Sequence, residues 1–208
     1  MRILKPDELA HLAWAIDPQY SALVFTAAAT GCRFNELAAL RTEHLDVTRR
    51  RLAVTEGLTT TDGRLGPTPT RTSRQVSLPR QLLEELHKHF ALWPTGPDAY
   101  LFTAPKGGLL RHSNFRSRVW LPAVTASVGQ PLRFEDLRHT HAATLIAAGE
   151  HPKVIQLRLG HRTLQATLDT YGHFFEQTET NLADGDYLEA FGSYLELRAT
   201  TYSPAIGH

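Results

Sequence analysis

Residues 135–174 read EDLRHTHAATLIAAGEHPKVIQLRLGHRTLQATLDTYGHF. Glycines punctuate this stretch where helices end, because Gly tolerates the left-handed backbone that closes a helix C-terminus. The reading predicts a helix over Glu135–Ala148 stopped at Gly149, and a second over Pro152–Leu159 stopped at Gly160. Chemistry-bearing residues fall at the joints: Arg138 and His139 in the first helix, His161 just after the second, and Tyr171 ten residues further on.

Working outward, Ser113–Val128 also reads as helix, interrupted at Pro122. Before it, Leu82, Leu83, Leu86 and Phe90 put one apolar stripe on a helix over Pro79–Trp93. Between Arg51 and Leu78 the period changes. Two alternating runs, Arg51-Leu-Ala-Val-Thr-Glu and Arg74-Gln-Val-Ser-Leu, flank a Thr/Gly/Pro-rich stretch over Gly57–Pro69, the pattern of a β-hairpin with a long polar connection. Ala99–Thr103 reads as a short strand or extended segment. The N-terminal residues give two helices separated at Pro18, then a cap at Gly31 and a short helix over Phe34–Leu40. The fold class is mainly α with a small antiparallel β-sheet.

The 208 residues are 42% apolar and 21% charged, enough for one globular domain and too apolar for a disordered chain. The net charge of +1 does not advertise a polyanionic partner, but its distribution does more. Residues 177–208 hold five acids and one base, which leaves 21 bases against 16 acids in residues 1–176. Eighteen of the bases are Arg, the better bidentate partner for phosphate. The single cysteine, Cys32, allows no internal disulfide, and neither a signal peptide nor a membrane span is legible. A cytoplasmic protein is expected.

Four segments carry the candidate site: Thr30-Gly-Cys-Arg33-Phe-Asn-Glu36-Leu, Glu135-Asp-Leu-Arg138-His139-Thr, Leu159-Gly-His161 and Thr170-Tyr171-Gly-His173-Phe. Each has a plain structural explanation. Arg33 could be a solvated helix-start residue, Arg138 the partner of Glu135 in an i, i+3 ion pair, His161 a half-buried loop histidine, and Tyr171 a core tyrosine. In order and spacing, however, the four together resemble the tyrosine recombinase (phage integrase) catalytic domain. Its pattern is T-G-x-R-x-x-E-L, H-x-L-R-H, L-G-H and a later Tyr. The resemblance covers Lys5 to Phe175 and is to integrases of the actinobacterial and mycobacteriophage type. It implies the tyrosine recombinase catalytic-domain fold in a bacterial or phage-encoded protein.

The resemblance also implies a reaction. Tyr171 would attack a DNA phosphodiester, forming a 3′-phosphotyrosine and releasing a 5′-hydroxyl, so that the bond's energy is kept for rejoining without metal or nucleotide cofactor. Arg33 and Arg138 would hold the non-bridging oxygens, with His161 on the same phosphate. Glu36, Asp136 and His139 take supporting places, and His173 and Arg71 are further candidates. The partners implied are a double-stranded DNA attachment site and further copies of the chain, a tetramer on DNA.

Two departures from the pattern stand out. Glu135 occupies the place of the first His in H-x-x-R, where a carboxylate repels phosphate unless it is paired or protonated. His139 and His141 are expected to point elsewhere on the helix. The hairpin Lys that protonates the leaving oxygen is absent. Its place falls near Pro69, and Arg71, the nearest cation, holds its proton too tightly for acid catalysis. These departures leave open a weakened or inactive DNA-binding relative. A metal-dependent hydrolase built on His139-x-His141 is the third reading, disfavoured because such a pair diverges by about 200° on a helix. A Cys32 nucleophile lacks an evident base.

Residues 1–176 are expected to form the catalytic domain, without the N-terminal core-binding domain of the family. Residues 177–208 are expected to form an acidic amphipathic helix or tail through Tyr187, Leu188, Phe191, Tyr194 and Leu195. It would either cover its own domain or, as the resemblance implies, be lent to a neighbouring protomer.

Overall fold

A computed structural model describes residues 1–59, 64–67, 73–94 and 96–181. Arg71, position 69 and the proposed helix around Tyr187–Leu195 therefore lie outside the described residues. The element that organises the rest is α2 (Pro18–Thr30), whose residues from Tyr20 to Thr30 are all buried. A helix apolar around its whole circumference must be surrounded, and α2 is: α1 (Pro6–Ala15), α4 (Arg80–Leu92) and α7 (Glu135–Ala147) pack against it. Asp17 caps α2 by accepting the Gln19 N–H at 2.9 Å, and Gly31 ends it with φ +66°. Pro18 does not so much break a helix as start one, at the position where its missing N–H costs nothing.

Beyond Gly31, α3 (Phe34–Ala39) leads to a single 3₁₀ turn and the sheet. The predicted hairpin is present as β2 (Arg51–Val54) against β5 (Arg74–Ser77), with Leu52 opposite Val76 and Val54 opposite Arg74. It is larger than the pattern suggested. A two-residue β1 (Leu45–Asp46) adds an outer strand to β2, and β3 (Glu56–Leu58) with β4 (Leu65–Pro67) continues the hairpin as a second ladder. Two- and three-residue strands are too short for a period to register in the sequence. Of the two readings for Ala99–Thr103 the continuous strand is not formed; the segment makes isolated bridges, Arg41 with Tyr100 and Thr103 with Leu109.

The segment 112–127 is also more continuous than expected. It runs from α5 (His112–Phe115) through one π turn (Arg116–Trp120) into α6 (Leu121–Ser127), with Pro122 inside the first turn of α6. The Leu121 N–H reaches back five residues to Arg116, and this widened turn accommodates the proline that a regular helix would reject. Trp120 Nε1 donates to the Leu132 carbonyl at 2.8 Å, and its ring joins Phe34, Phe115 and Phe134 in an aromatic cluster. The Phe34 and Phe134 rings meet edge to face, centroids 5.2 Å apart. Packing these two rings brings their chain neighbours, Arg33 and Glu135, together.

Helices α7, α8 (Pro152–Leu159) and α9 (Leu164–Asn181) form a smaller second core of Ala142, Ile146, Ile155, Leu159 and Tyr171. Both expected glycine stops are present, with φ of +74° at Gly149 and +70° at Gly160. Among the described residues, no helix is long and apolar enough to cross a membrane.

Candidate active site

The site forms where the caps of α2 and α8 approach α7. Arg138 is 2% exposed and fixed by backbone: Nη1 donates to the Gly31 carbonyl, and Nη2 to the Leu159 carbonyl at 2.8 Å. Two left-handed glycine caps thus expose the carbonyls that aim this guanidinium. Gly31 admits no side chain, since a Cβ there would lie 2.6 Å from Leu159 Cδ2 and 2.8 Å from the His141 ring.

Arg33 stands at the N-terminus of α3, and its N–H donates to Glu36 Oε2 at 2.8 Å. Glu36 is 1% exposed and paired with a residue that sequence reasoning did not single out. Arg74, at the start of β5, donates to both Glu36 oxygens at 2.8 and 2.7 Å and to the Arg158 carbonyl at 2.9 Å. Burial raises the Glu36 pKa, but the Arg74 hydrogen bonds and charge outweigh it and hold the carboxyl low. Arg158 was likewise missed. It ties α8 to the Ala29 and Ser77 carbonyls at 3.0 and 2.9 Å and to His141 Nε2 at 2.9 Å. Both arginines sit in strand or helix positions that read as ordinary surface cations, and only long-range packing gives them buried partners.

Glu135 lies between the two candidate phosphate ligands. Its Oε1 is 3.6 Å from Arg138 Nε and 3.9 Å from Arg33 Nε. The i, i+3 pair is therefore real, and it forms inside the constellation, with Arg33 completing a clamp around one anionic oxygen. Burial raises the Glu135 pKa, with Arg138 and Arg33 pulling the other way.

His161 follows the α8 cap directly, with Nδ1 2.8 Å from Thr167 Oγ1. Burial, then the charges of Arg138, Arg33 and Arg74, push its pKa down to about 4, so the imidazole is neutral at neutral pH. Its ring lies parallel to that of Tyr171, 6.2 Å away. Tyr171, on α9, is 1% exposed; burial raises its pKa, Arg138 and Arg33 lower it, and Glu135 opposes them.

His139 corrects the expectation that it would point away from residue 135. Its Nδ1 is 2.9 Å from the Tyr171 hydroxyl. Four residues advance about 400° round a helix, so Glu135 and His139 share a face. His141, two further on, does face elsewhere, toward Arg158 and the Ala28 backbone; burial and Arg158 push its pKa down to about 3. The His-x-His pair diverges, and among the described residues no group of three His, Cys, Asp or Glu could hold a metal ion. His173 is exposed, with its ring against that of Phe174, centroids 4.1 Å apart. Asp136 pairs with Arg133 at 2.8 Å and accepts the Arg2 N–H, a link between α7 and the N-terminus. Cys32 is buried and its thiol pushed up by that burial, although Arg74 stands 3.7 Å away.

This architecture is that of a tyrosine recombinase catalytic domain. The catalytic domain of bacteriophage HP1 integrase superposes with a TM-score of 0.60 at 21% identity, covering 89% of this chain and 96% of that one. The Tn1549 transposon integrase in complex with circular intermediate DNA gives 0.69 at 20% identity, over 81% and 61% of the two chains. In sequence, the ICEBs1 integrase of Bacillus subtilis is 29% identical over 201 residues, 88% of this chain and 54% of the relative. The integrase of Mycobacterium phage D29 is 32% identical over 169 residues, 77% and 45%. The phage integrase family model matches residues 2–178, and the chain belongs to that family. It spans about half the length of these two curated relatives.

Proposed function

We propose that this chain carries the strand-transfer chemistry of a site-specific DNA recombinase, with Tyr171 as nucleophile. The observation that carries this reading is the clamp: Arg33 and Arg138 already hold one carboxylate oxygen between them, 3.9 and 3.6 Å away, beside the buried phenol. A phosphodiester carries the same single negative charge, shared over two non-bridging oxygens. When it replaces Glu135 in the clamp, both guanidiniums meet the non-bridging oxygens on which charge grows as Tyr171 attacks. Because carbonyls hold Arg138, its alignment costs nothing at the moment of reaction. His161, engaged by Thr167 through Nδ1, presents Nε2 to the same phosphate.

Tyr171 attack breaks the bond to the 5′ oxygen and leaves a 3′-phosphotyrosine; a second 5′-hydroxyl reverses the step. Glu36 and Arg74 act behind Arg33, fixing the start of α3 against the hairpin. Residues 1–176 form the catalytic unit in this reading. The acidic segment 177–208 covers its own domain or a neighbouring protomer, and a duplex attachment site and tetrameric assembly are the partners. The integrase names of the relatives and the DNA-bound Tn1549 homologue support DNA as substrate.

The direct test is incubation with nicked duplexes that trap a covalent intermediate, followed by a denaturing gel. A protein–DNA band lost in Tyr171→Phe is expected; no band, or an equal one in that variant, refutes the assignment. A weakened DNA-binding relative is favoured by one feature, the occupation of the clamp by Glu135. On that reading, cleavage appears only after Glu135→His is combined with a Lys at position 69.

A further inference from the structure

Tyr171 must lose a proton in a place that makes ionisation costly. The ring is 1% exposed among Ala142, Ile146, Ile155 and Leu159, and Glu135 faces the same pocket. Two guanidiniums offset part of that cost. The remainder disappears if a neighbouring base takes the proton while the phenol oxygen bonds to phosphorus.

Three groups stand close enough to be weighed. Glu135 must leave Arg33 and Arg138 to the substrate phosphate, and an anion beside it favours its protonated form, which accepts no proton. His161 has its Nδ1 on Thr167, and its ring is parallel to the phenol with only 9° between the planes. In the strand-transfer reading its Nε2 meets the phosphate, which leaves no ring nitrogen for the phenol. His139 differs: its ring meets Tyr171 at 63°, and its Nδ1 is 2.9 Å from the hydroxyl oxygen. Burial lowers the His139 pKa, and Arg133, Arg138 and the chain's N-terminal amine act in the same sense against Asp136. From α9 it faces Tyr171, and His161 lies near enough to feel its charge. The imidazole is therefore neutral at neutral pH and has a lone pair to offer.

We propose that His139 is the proton acceptor for Tyr171, an inference that rests on the strand-transfer reading above and assigns a catalytic residue within it. In cleavage the Tyr171 O–H proton passes to Nδ1 as the phenol oxygen bonds to phosphorus. The bond to the 5′ oxygen breaks, and that oxygen takes a proton from water. In rejoining, the imidazolium returns its proton to the departing phenolate as a 5′-hydroxyl attacks and gives its own proton to water. The imidazolium forms beside a phosphate gaining negative charge, which offsets its nearness to Arg138. The partner of the nucleophile is thus one helical turn after residue 135, where the family pattern has the histidine that this chain lacks.

The first measurement is ring-nitrogen NMR of the whole chain with labelled histidine, His139 being identified by His139→Gln. An unprotonated Nδ1 is expected, with a hydrogen-bond shift that disappears in Tyr171→Phe. A proton resident on Nδ1, or a signal unmoved by Tyr171→Phe, overturns the proposal. The second is covalent trapping on a pool of randomised nicked duplexes. His139→Asn is expected to slow trapping by about 10²- to 10⁴-fold. It should also remove the histidine-dependent rise of the rate with pH. Duplexes with a 5′-bridging phosphorothiolate should not rescue it, because a thiolate leaving group relieves the need for an acid and not for a base. Undiminished trapping, or rescue by the thiolate, overturns the assignment. A wild-type chain that traps none of the pool counts against the strand-transfer reading, and the nitrogen signals then decide His139 separately.

Discussion

Replacing Glu135 by Gln keeps the side chain's shape and removes its charge from the arginine clamp. Once a phosphate displaces the carboxylate from the clamp the two anions remain neighbours, and at about 4 Å two unit charges interact by about 1 kcal/mol in water and about 4 kcal/mol at an effective dielectric of 20. The Glu135 side chain is 40% exposed, which places the effect toward the lower value. Relief of about 1–2 kcal/mol corresponds to a five- to thirtyfold gain in affinity. The assay is fluorescence anisotropy with one generic duplex, wild type against Glu135→Gln, at a single salt concentration because phosphate contacts are strongly salt-dependent.

The pH dependence follows from the same geometry. Burial already raises the Glu135 pKa against the pull of Arg138 and Arg33, and an anion in the clamp raises it further. Binding therefore takes up a proton, and wild-type affinity should climb as pH falls toward that pKa. The glutamine variant should lack this component, while the histidine contributions remain common to both proteins. Equal affinity with an identical pH profile would refute the placement of phosphate between Arg33 and Arg138.

Other perturbations test the scaffold. Arg74→Met leaves the 1%-exposed Glu36 carboxylate without its cation and with only the Arg33 N–H to satisfy it, a loss of about 3–5 kcal/mol, or a melting point lower by about 10 °C. Because the folded Glu36 pKa is depressed, the stabilisation exists above the ordinary Glu range and fades as pH falls through the folded value. The gap between the two proteins should accordingly close in acid; a constant gap would contradict the pairing. Gly31→Ala forces a Cβ to within 2.6 Å of Leu159 at φ +66° and should cost about 2–5 kcal/mol. Urea unfolding reads this as a lower midpoint at unchanged slope, and an unshifted midpoint would count against the close approach of α2 and α8. His141 has a folded pKa of about 3 against 6.5, so its contribution is present above 6.5 and is lost as pH falls toward 3. His141→Gln should flatten that part of the stability profile, as followed by thermal melts across the pH range.

Local sequence carried much of the architecture, because helix caps and apolar stripes act over a few residues. Gly31, Gly149 and Gly160 end helices where their positions in the chain said they would, and the Arg51–Ser77 hairpin follows from period-two alternation. Four spaced motifs named Arg33, Arg138, His161 and Tyr171, and the fold brings them together. The short strands β1, β3 and β4 escaped notice for lack of length, and the π turn at Arg116–Trp120 because tertiary packing overrides a proline's local preference.

What the chain order could not supply is which charges meet across it. Arg74 is 38 residues from Glu36, and Arg138 is 107 from Gly31; no periodicity connects them. The edge-to-face packing of Phe34 on Phe134 puts Glu135 against Arg33, which turns an ordinary i, i+3 pair into a clamp around an anion. Helical phase alone would have placed His139 on the face of Glu135, but docking of α9 on α7 was needed to bring the Tyr171 hydroxyl to it. Residue types and their spacing specified the chemistry available. Burial of α2 and the docking of α8 and α9 decided where each charge and proton sits, since those positions depend on contacts between segments that share no local signal.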